Sequence, residues 1–253
     1  MKLLIREKAG AYLTADGAHL KPYFEEIVQA DDNLRKKISA IRNLEAGLIR
    51  VATFTSVSVQ WLPGIMADFE RDHPGIQFEL MHDLNGESEE WLRTGKVDCA
   101  FVSTRDAVSY PTYELHKDPI VAVMPENNEL AAQDRVAVED LIRYPYIKLA
   151  DSTFREAGEI SDVFRSHGVE PNVRFSEMND YAVVAMVEKG LGVSLLPQMI
   201  VYKTSRKIAV RLLQSGEERM LGLAVKNPQQ VPESTRQFIA YTRKWVAEKY
   251  AEE

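Results

Sequence analysis

The sequence predicts an α/β fold with two lobes of similar plan, preceded by a short hairpin and a long helix. Three observations support this prediction. Strand-like and helix-like segments alternate through most of residues 48–196 and are joined by short turns. Their order in residues 48–102 is repeated in residues 146–196. Two further strand-like runs, one between the halves and one after the second half, can connect two such lobes.

The repeat consists of a matching order of elements. The first half is predicted to contain strand 48–52, a Thr/Ser-rich loop 53–58, helix 59–72, strand 76–81, helix 86–94 and strand 97–102. The second half is predicted to contain strand 146–149, loop 150–153, helix 154–166, strand 172–175, helix 179–189 and strand 192–196. His73 and His167 follow equivalent helices, and Gly95 and Gly190 follow the next pair. This nearly constant offset indicates two α/β units, although periodicity alone leaves the order of strands in the sheets open.

Two strand-like runs, 116–125 and 221–226, are predicted to cross between the lobes and to form a double hinge. Two lobes on a double hinge enclose a cleft, and ligands of such folds bind outside the carboxyl ends of the strands. Residues 234–248 are predicted to form an amphipathic helix that packs back on the first lobe. Its apolar face is expected to contain Phe238, Ile239, Tyr241, Thr242 and Trp245.

The N-terminal residues are predicted to form a hairpin followed by a helix over 14–44. Apolar runs at 3–5 and 11–13 flank a charged turn, and Thr14 is of the residue type that caps helices. Within the helix, residues recur every seven positions in two rows that fit a coiled-coil seam of about three heptads. The rows are Leu20, Ile27, Leu34 and Ile41, and Phe24, Asp31 and Ile38. We favour pairing with a partner helix; a helix lying on its own domain is the alternative, for which a wider apolar stripe is expected.

Composition limits the class of protein. With 253 residues, of which 45% are hydrophobic and 27% charged, the chain can bury a substantial core. No apolar run reaches the roughly 20 residues of a membrane span, and the N-terminus lacks the pattern of a secretory signal, so we expect a cytoplasmic protein without membrane contact. The net charge of −7 gives no basic footprint for nucleic acid. Cys99, the single cysteine, lies in an apolar run and is predicted to be a buried, inert thiol.

Hydroxyl and amide side chains follow the predicted strands, where the cleft should open. They are Thr53, Thr55, Ser56, Ser58, Asn85, Ser103, Thr104, Ser152, Thr153 and Asn179. A loop of this kind that opens a helix presents backbone N–H groups and the positive end of the helix dipole, which suits a small anion. The alternative is that each residue only caps its helix.

The sequence contains few signs of catalytic chemistry. The five histidines are scattered without metal-ligand spacing, and no serine lies in a nucleophile elbow. Gly190 and Gly192 precede a strand instead of following one, so they do not form a dinucleotide-binding fingerprint. We therefore predict no catalytic residues, no metal site and no cofactor.

Several motifs resemble those of LysR-type transcriptional regulators. The wing pattern of that family is matched by Leu3, Arg6, Leu13, Thr14 and Gly17. Further matches are Leu62-Pro63, Phe69, Pro74, residues 95–101 (GKVDCAF), residues 118–125 and residues 190–197 (GLGVSLLP). The order and spacing of these matches extend over nearly the whole chain. The resemblance implies a two-lobed, periplasmic-binding-protein-like (type 2) effector domain that follows a winged helix-turn-helix remnant and a linker helix.

The resemblance also implies domain boundaries and partners. Residues 1–15 would be the wing, 16–46 the linker and dimerisation helix, and 47–253 the effector-binding domain, with lobe I at about 47–119 and 223–253 and lobe II at about 120–222. Homodimers or homotetramers are expected to form through Leu20, Phe24, Ile27, Leu34, Ile38 and Ile41. The recognition helix is expected upstream of Met1. Promoter DNA should therefore be a partner of the full-length protein only, and this chain alone should bind DNA weakly or not at all.

The function implied by the resemblance is ligand-controlled transcription, in which a small, anionic effector bound between the lobes changes lobe or dimer geometry. By family position, the effector contacts would be Ser56, Val57, Asn85, Ser103, Thr104, Phe154, Met178 and Asn179. Two other classes share the two-lobed plan. A solute-binding protein of a transporter would need a secretory signal or lipid anchor and has no use for a heptad helix. An enzyme would need acid, base or nucleophilic side chains in the cleft.

Overall fold

The N-terminal hairpin and the long helix are both present. The structure is a computed structural model that describes residues 1–7, 10–41, 47–83, 86–103, 109–150 and 159–251. Strands β1 (Leu4–Glu7) and β2 (Gly10–Leu13) pair in antiparallel fashion and lead into helix α1 (Ala15–Ile41). Thr14 caps this helix as predicted: its Oγ1 accepts the backbone N–H of Gly17 at 3.0 Å and donates to the backbone oxygen of Lys2 at 2.8 Å. The cap therefore joins the start of the helix to the start of the chain.

Lobe I begins with alternating strands and helices. In chain order they are β3 (Gly47–Thr53), α2 (Thr55–Gln60), α3 (Leu62–Asp72), β4 (Ile76–His82), α4 (Ser88–Thr94) and β5 (Cys99–Ser103). Strand β3 lies between β4 and β5, and all three run parallel. The long strand β6 (Thr112–Pro125) then leaves lobe I and enters lobe II.

Lobe II contains the second set of elements. In chain order they are a 3₁₀ turn (Glu129–Ala132), β7 (Arg135–Val136), α5 (Val138–Leu141), β8 (Tyr146–Leu149), α6 (Glu159–Ser166), β9 (Val173–Glu177), α7 (Asp180–Glu188), β10 (Ser194–Pro197), α8 (Gln198–Val201) and β11 (Ile208–Leu213). The chain returns to lobe I through β12 (Glu218–Ala224) and ends in α9 (Glu233–Lys249). Strand β8 is parallel to β9, and its Tyr146 makes a parallel bridge to Val193, just before β10. Strand β3 has the corresponding place between β4 and β5 in lobe I.

The hinge is formed by β6 and by the chain just before β12. The first part of β6 pairs with β12, and its second part pairs with β10 and β11, so β6 belongs to both lobes. Strand β12 pairs with β5 and with the lobe I part of β6. The return crossing therefore lies at 217–218, where the carbonyl of Glu217 accepts the N–H of Ile120 at 2.8 Å, and not in the run 221–226. That run is held in lobe I because it hydrogen-bonds between two other strands.

The two halves share conformational details as well as element order. Gly95 and Gly190 end α4 and α7 with φ angles of +68° and +76°, a left-handed conformation in which glycine avoids a Cβ clash. His73 and His167 end α3 and α6, each donating its backbone N–H to a carbonyl four residues earlier. The internal repeat predicted from spacing is thus also a repeat of backbone turns.

Lobe I has a core rich in aromatic residues. Trp61, Phe69, Phe101 and Phe238 are buried together with aliphatic side chains from β3, α3 and β12. Phe238 lies on α9, so the C-terminal helix packs back on lobe I as predicted. Cys99 is also fully buried in this core, and burial raises the pKa of its thiol. The predicted burial of Cys99 is confirmed.

Two predicted elements differ from the structure in lobe I. The loop 53–58 and helix 59–72 are instead two helices, α2 and α3, separated at Trp61. The break precedes Pro63, which has no N–H to continue an α-helical ladder and occupies the first turn of α3. Helix α4 begins at Ser88 because the Asp83 carboxylate accepts the N–H groups of Glu87 and Ser88 at 2.9 and 2.8 Å. Of the predicted helix 154–166, residues 154–158 lie outside the described residues.

Helix α1 contacts lobe I through its polar face. Asp32 pairs with Arg50 at 3.1 Å, and Lys36 pairs with Asp98, whose other oxygen accepts the backbone N–H of Arg50 at 2.8 Å.

The apolar rows of α1 lie away from these ion pairs, and Ile27 and Leu34 are 65% and 59% exposed. Phe24 and Ile38 are also exposed and Leu20 is half-buried, whereas the side chain of Ile41 lies outside the described residues. Asp31 in the second row is exposed and pairs with Arg35 at 2.7 Å. The face that makes the ion pairs to lobe I is thus not the heptad seam, although Phe24 of the seam also lines a cavity between α1 and β4.

None of the helices in the described ranges combines the length and apolar character that a bilayer crossing requires.

A histidine bridge braces lobe II beside the hinge. Nδ1 of His167 lies 2.8 Å from a carboxylate oxygen of Glu139, and Nε2 lies 3.0 Å from a carboxylate oxygen of Glu217. Hydrogen bonds to Glu139 and then to Glu217 raise the pKa of the imidazole. Both ring nitrogens face acceptors, so the protonated form is the one that satisfies both carboxylates.

The histidine bridge predicts a pH dependence of stability. Because the folded-state pKa of His167 is raised, its contribution is fully present below the unfolded value of about 6.5 and is lost as the pH rises through the folded value. We expect His167→Gln to reduce the loss of unfolding free energy between about pH 5.5 and pH 8.5, measured by urea denaturation. His19→Gln, an exposed change on α1, is the control. An NMR titration placing the pKa of His167 at or below the ordinary value would contradict the prediction.

Candidate binding site between the lobes

The cleft between the lobes is formed by strand ends, helix starts and the hinge. Lobe I contributes the end of β3, the first turn of α2 and the end of β5. Lobe II contributes the first residues of α6 and α7. The hinge contributes Asp118 of β6 and Arg219 of β12, which are opposite each other in the strand register. Polar side chains from all three regions meet here.

An ion pair between Arg219 and Asp118 is buried at the hinge. Nε and Nη2 of Arg219 donate to Asp118 Oδ2 at 3.0 and 2.8 Å. The two side chains are only 9% and 1% exposed. The guanidinium also lies 5.3 Å from the ring centre of Phe54, at the start of α2. Because two charges leave water together, each depends on the other for compensation.

The same ion pair reaches a helix of each lobe. Nη2 of Arg219 donates to Ser56 Oγ at 2.8 Å, and Ser56 is buried in the first turn of α2. Asp118 Oδ1 accepts the backbone N–H of Met199 at 3.0 Å, and Met199 lies in α8 of lobe II. The Met199 side chain is buried in the core of lobe I. The hinge ion pair therefore fixes parts of both lobes relative to the crossing strands.

Glu159 extends from lobe II to the lobe I side of the cleft. Its carboxylate accepts a hydrogen bond from the hydroxyl of Ser103, the last residue of β5. Its other oxygen lies 3.9 Å from Nη1 of Arg219. The cleft thus contains a carboxylate that is held by a hydroxyl and faces a guanidinium.

Asp180 is a second acidic group of lobe II that faces lobe I. Desolvation raises the pKa of its carboxyl, while a hydrogen bond to Thr55 and the positive charge of Arg219 oppose that rise. Thr55 Oγ1 also lies 3.5 Å from Nε2 of His82, at the end of β4. The partly desolvated carboxyl group of Asp180 therefore lies beside the first turn of α2.

The predicted site residues differ in where the structure places them. Ser56 and Ser103 lie in the cleft and already bond to Arg219 and Glu159. The Val57 side chain is fully buried in the lobe I core, so that residue can meet a ligand only through its backbone. Met178 is 54% exposed at the lip of the cleft, before α7. Asn85, Thr104 and Phe154, together with Ser152 and Thr153, lie outside the described residues.

Some of the hydroxyl and amide groups serve local structure. Asn179 caps α7, because its Oδ1 accepts the N–H groups of Tyr181 and Ala182 at 2.9 and 3.1 Å. Thr53 and Ser58 lie 3.1 Å apart at their hydroxyl oxygens, across the first turn of α2. The capping alternative therefore describes Asn179, whereas Thr53 and Ser58 bond to each other and no side chain of the described residues caps α2.

Four charged residues of the site were not predicted from the sequence: Asp118, Glu159, Asp180 and Arg219. For two of them a signal was present. Asp118 and Arg219 interrupt or adjoin apolar strand runs, and a lone charge in such a run indicates a buried pair or a site. Glu159 and Asp180 lie in stretches rich in charged and polar residues, which gave no comparable signal.

The comparisons with known proteins agree with this geometry. Residues 42–247 match the family model described as the LysR substrate binding domain. The chain belongs to the LysR family of transcriptional regulators. Its two lobes are the periplasmic-binding-protein-like fold of LysR effector-binding domains, and the resemblance noted in the sequence is confirmed.

Three relatives illustrate the extent of the similarity. The uncharacterized HTH-type transcriptional regulator YvbU of Bacillus subtilis is 26% identical over 205 residues, which are 79% of this chain and 67% of YvbU. HinK, a LysR family regulator from Pseudomonas aeruginosa, has 26% identity and a TM-score of 0.70, covering 92% of this chain and 81% of HinK. The effector binding domain of QuiR, solved in complex with shikimate, has 21% identity and a TM-score of 0.68, covering 81% and 99% of the two chains. The likeness to QuiR shows the fold.

This LysR-family chain has a second concave region away from the cleft. A cavity of about 700 Å³ lies between the hairpin, α1 and the β4 edge of lobe I. Leu3, Leu13, Phe24, Val28 and Met81 contribute to its mostly apolar walls. It contains no part of the hinge ion pair, so the candidate site remains the cleft. Among the described residues, no three His, Cys, Asp or Glu side chains are grouped so that they could hold a metal ion.

The buried hinge pair predicts a large loss of stability when it is halved. We expect Arg219→Met or Asp118→Leu alone to lower the free energy of unfolding by about 3–5 kcal/mol, because each leaves an uncompensated buried charge. The double variant removes both members of the pair and should lose less than the sum of the single losses, as measured by urea denaturation. Lys117→Met is a matched control, since Lys117 and Glu218 form an exposed pair on the same two strands. Its cost should be much smaller, because solvent screens an exposed pair. A single-variant loss no larger than that of the control would contradict the prediction.

Proposed function

We propose that this chain senses a small anionic effector in the cleft between its lobes and so controls transcription in the full-length regulator. One observation carries the proposal: the cleft already binds a carboxylate. The Glu159 carboxylate is held by the Ser103 hydroxyl and faces Nη1 of Arg219. A hydroxyl donor and a guanidinium converging on one point are the groups that recognise carboxylates in proteins.

The surrounding geometry supports a small ligand. Ser56 places the first turn of α2 beside Arg219, and backbone N–H groups of a first helical turn lack partners within the helix. Met178 lies exposed at the lip and can contact an apolar part of the effector. QuiR, which shares the fold, binds shikimate, a small carboxylate. For this chain, we propose the same general class of compound and not shikimate in particular.

The remaining assignments follow from the same proposal. We propose that two copies pair through the exposed apolar rows of α1, and that dimers or tetramers position promoter DNA in the full-length protein. The polar face of α1 lies on lobe I, and Ile27 and Leu34, which belong to the first row, are exposed. As a transcription regulator, the protein would act in the cytoplasm and would not be an enzyme. The heptad helix favours this proposal over a transporter's solute-binding protein.

A binding experiment tests the site. Isothermal titration with shikimate, acetate, malonate and citrate should find at least one ligand. Because Glu159 itself occupies the Ser103 hydroxyl, the role of Ser103 is tested without that carboxylate: Ser103→Ala/Glu159→Ala should bind the ligand about tenfold or more weakly than Glu159→Ala. A hydrogen bond to a charged group contributes about 1.5–3 kcal/mol, which is the physical reason for that size. Ser166→Ala in the Glu159→Ala chain is the control, because the bond of the Ser166 hydroxyl among the described residues is to its own helix, at Val163 O. Equal affinities for Glu159→Ala and Ser103→Ala/Glu159→Ala would refute the site.

A second experiment tests the linker. The Ile27→Asp/Leu34→Asp double variant should convert a dimer to a monomer in light scattering at micromolar concentration, because two charges would enter the apolar seam. Glu26→Lys also changes the charge of α1, but its position lies outside both rows and should leave the dimer intact. A chain that is monomeric before any substitution would overturn this part of the proposal.

A further inference from the structure

The Glu159 carboxylate contributes little that the hinge requires. Arg219 is already neutralised by Asp118, which accepts two hydrogen bonds from it. The contact from Arg219 Nη1 to Glu159 is longer, at 3.9 Å, and so is not a hydrogen bond. Asp180 adds a further acidic group that interacts with the same guanidinium. Among the described residues, three carboxylates therefore surround one cation, and Glu159 is the one that the ion pair can do without.

Glu159 is also the group whose position joins the lobes across the cleft. It is the first residue of α6 in lobe II, and its hydrogen-bond donor, Ser103, ends β5 in lobe I. Asp118 lies on a hinge strand and is 1% exposed, whereas the Glu159 side chain is 14% exposed. Glu159 can therefore leave its donor for water more readily than Asp118 can leave Arg219.

We propose that Glu159 is a built-in competitor of the effector, a tethered carboxylate that occupies the anion position until an effector displaces it. This inference rests on the proposed function. An incoming carboxylate would take the Ser103 hydroxyl and Nη1 of Arg219, and Glu159 would turn out to solvent. The lobe-to-lobe hydrogen bond from Ser103 to Glu159 breaks in that exchange. Binding is thereby coupled to the relation between the lobes, because the ligand interacts differently with the two states.

Competition of this kind lowers the apparent affinity. If the Ser103 site is free in only a fraction of molecules, the apparent dissociation constant rises by the inverse of that fraction. Removing the competitor should restore the intrinsic affinity of the site. A merely structural glutamate would have the opposite effect, since its loss would loosen the cleft and weaken binding.

The first test compares affinities for acetate, the smallest probe that carries only the carboxylate. We expect Glu159→Ala to bind acetate about tenfold more tightly than the unaltered full chain, measured by NMR titration or thermal shift. Acetamide, a neutral molecule of the same shape, should show no such gain. Asp162→Asn, which removes an acidic group from the exposed side of the same helix, should bind acetate like the unaltered chain. Circular dichroism of Glu159→Gln, which preserves the shape of the side chain, controls for folding.

The second test asks whether the gain depends on Ser103. In Ser103→Ala/Glu159→Ala, the tenfold gain should disappear, because the donor for which the two carboxylates compete is absent. Tighter acetate binding that survives in the double variant would overturn the inference.

The outcomes separate the inference from the proposed function. Equal or weaker acetate binding by a folded Glu159→Ala overturns the competitor, while weaker ligand binding by Ser103→Ala/Glu159→Ala than by Glu159→Ala would still support an anion site in the cleft. If neither the unaltered chain nor Glu159→Ala binds acetate, shikimate, malonate or citrate, the proposed function itself fails. A gain with acetamide equal to that with acetate would show only an opened cavity, and this too would overturn the competitor.

Discussion

Two ionised side chains, Arg219 and Asp118, are buried where the chain passes between the lobes, and the geometry of the cleft depends on them. Their hydrogen bonds extend to Ser56 in α2 and to the backbone of Met199 in α8. One network thus fixes the two crossing strands and one helix of each lobe. Buried charges tolerate little rearrangement, because a displaced partner leaves the other uncompensated in a low-dielectric environment. The hinge can therefore bend only in ways that keep this pair intact.

The same guanidinium is part of the candidate site, so hinge geometry and ligand recognition share a residue. Strand β5 adds a second connection. Asp98, just before this strand, binds Lys36 of helix α1, and Ser103 at its other end bonds to Glu159 in the cleft. The cleft and α1 are thus in contact with the two ends of one five-residue strand. Displacement of Glu159 from Ser103 would act on an element that also supports the helix we propose to mediate dimerisation.

Much of the fold was predictable from local pattern. The repeat of helices and strands, the glycine turns at Gly95 and Gly190, the cap at Thr14 and the packing of the C-terminal helix all follow from spacing and residue type. Two errors have local causes. The first error arises because Pro63 ends a helix that periodicity alone predicts as continuous. The second arises because the run 221–226 is recognisable as a strand, but its sequence does not reveal which strands it pairs with or which lobe those strands belong to. Ser56 and Ser103 were predicted as candidates because hydroxyls at strand ends suggest a ligand, and both lie in the cleft. The charges around them were not found.

The sequence by itself determined the two α/β lobes, the long capped helix with its apolar rows, the buried cysteine and the membership of the LysR family. These properties depend on periods of two and 3.6 residues, on turn residues and on short motifs, all of which act over a few positions along the chain. Only the tertiary structure decided which charges meet. Ser56, Asp118 and Arg219 are separated by 62 and 101 positions in the sequence, yet they form one hydrogen-bonded group. Pairing across such distances depends on strand register and lobe placement, and no local pattern specifies either.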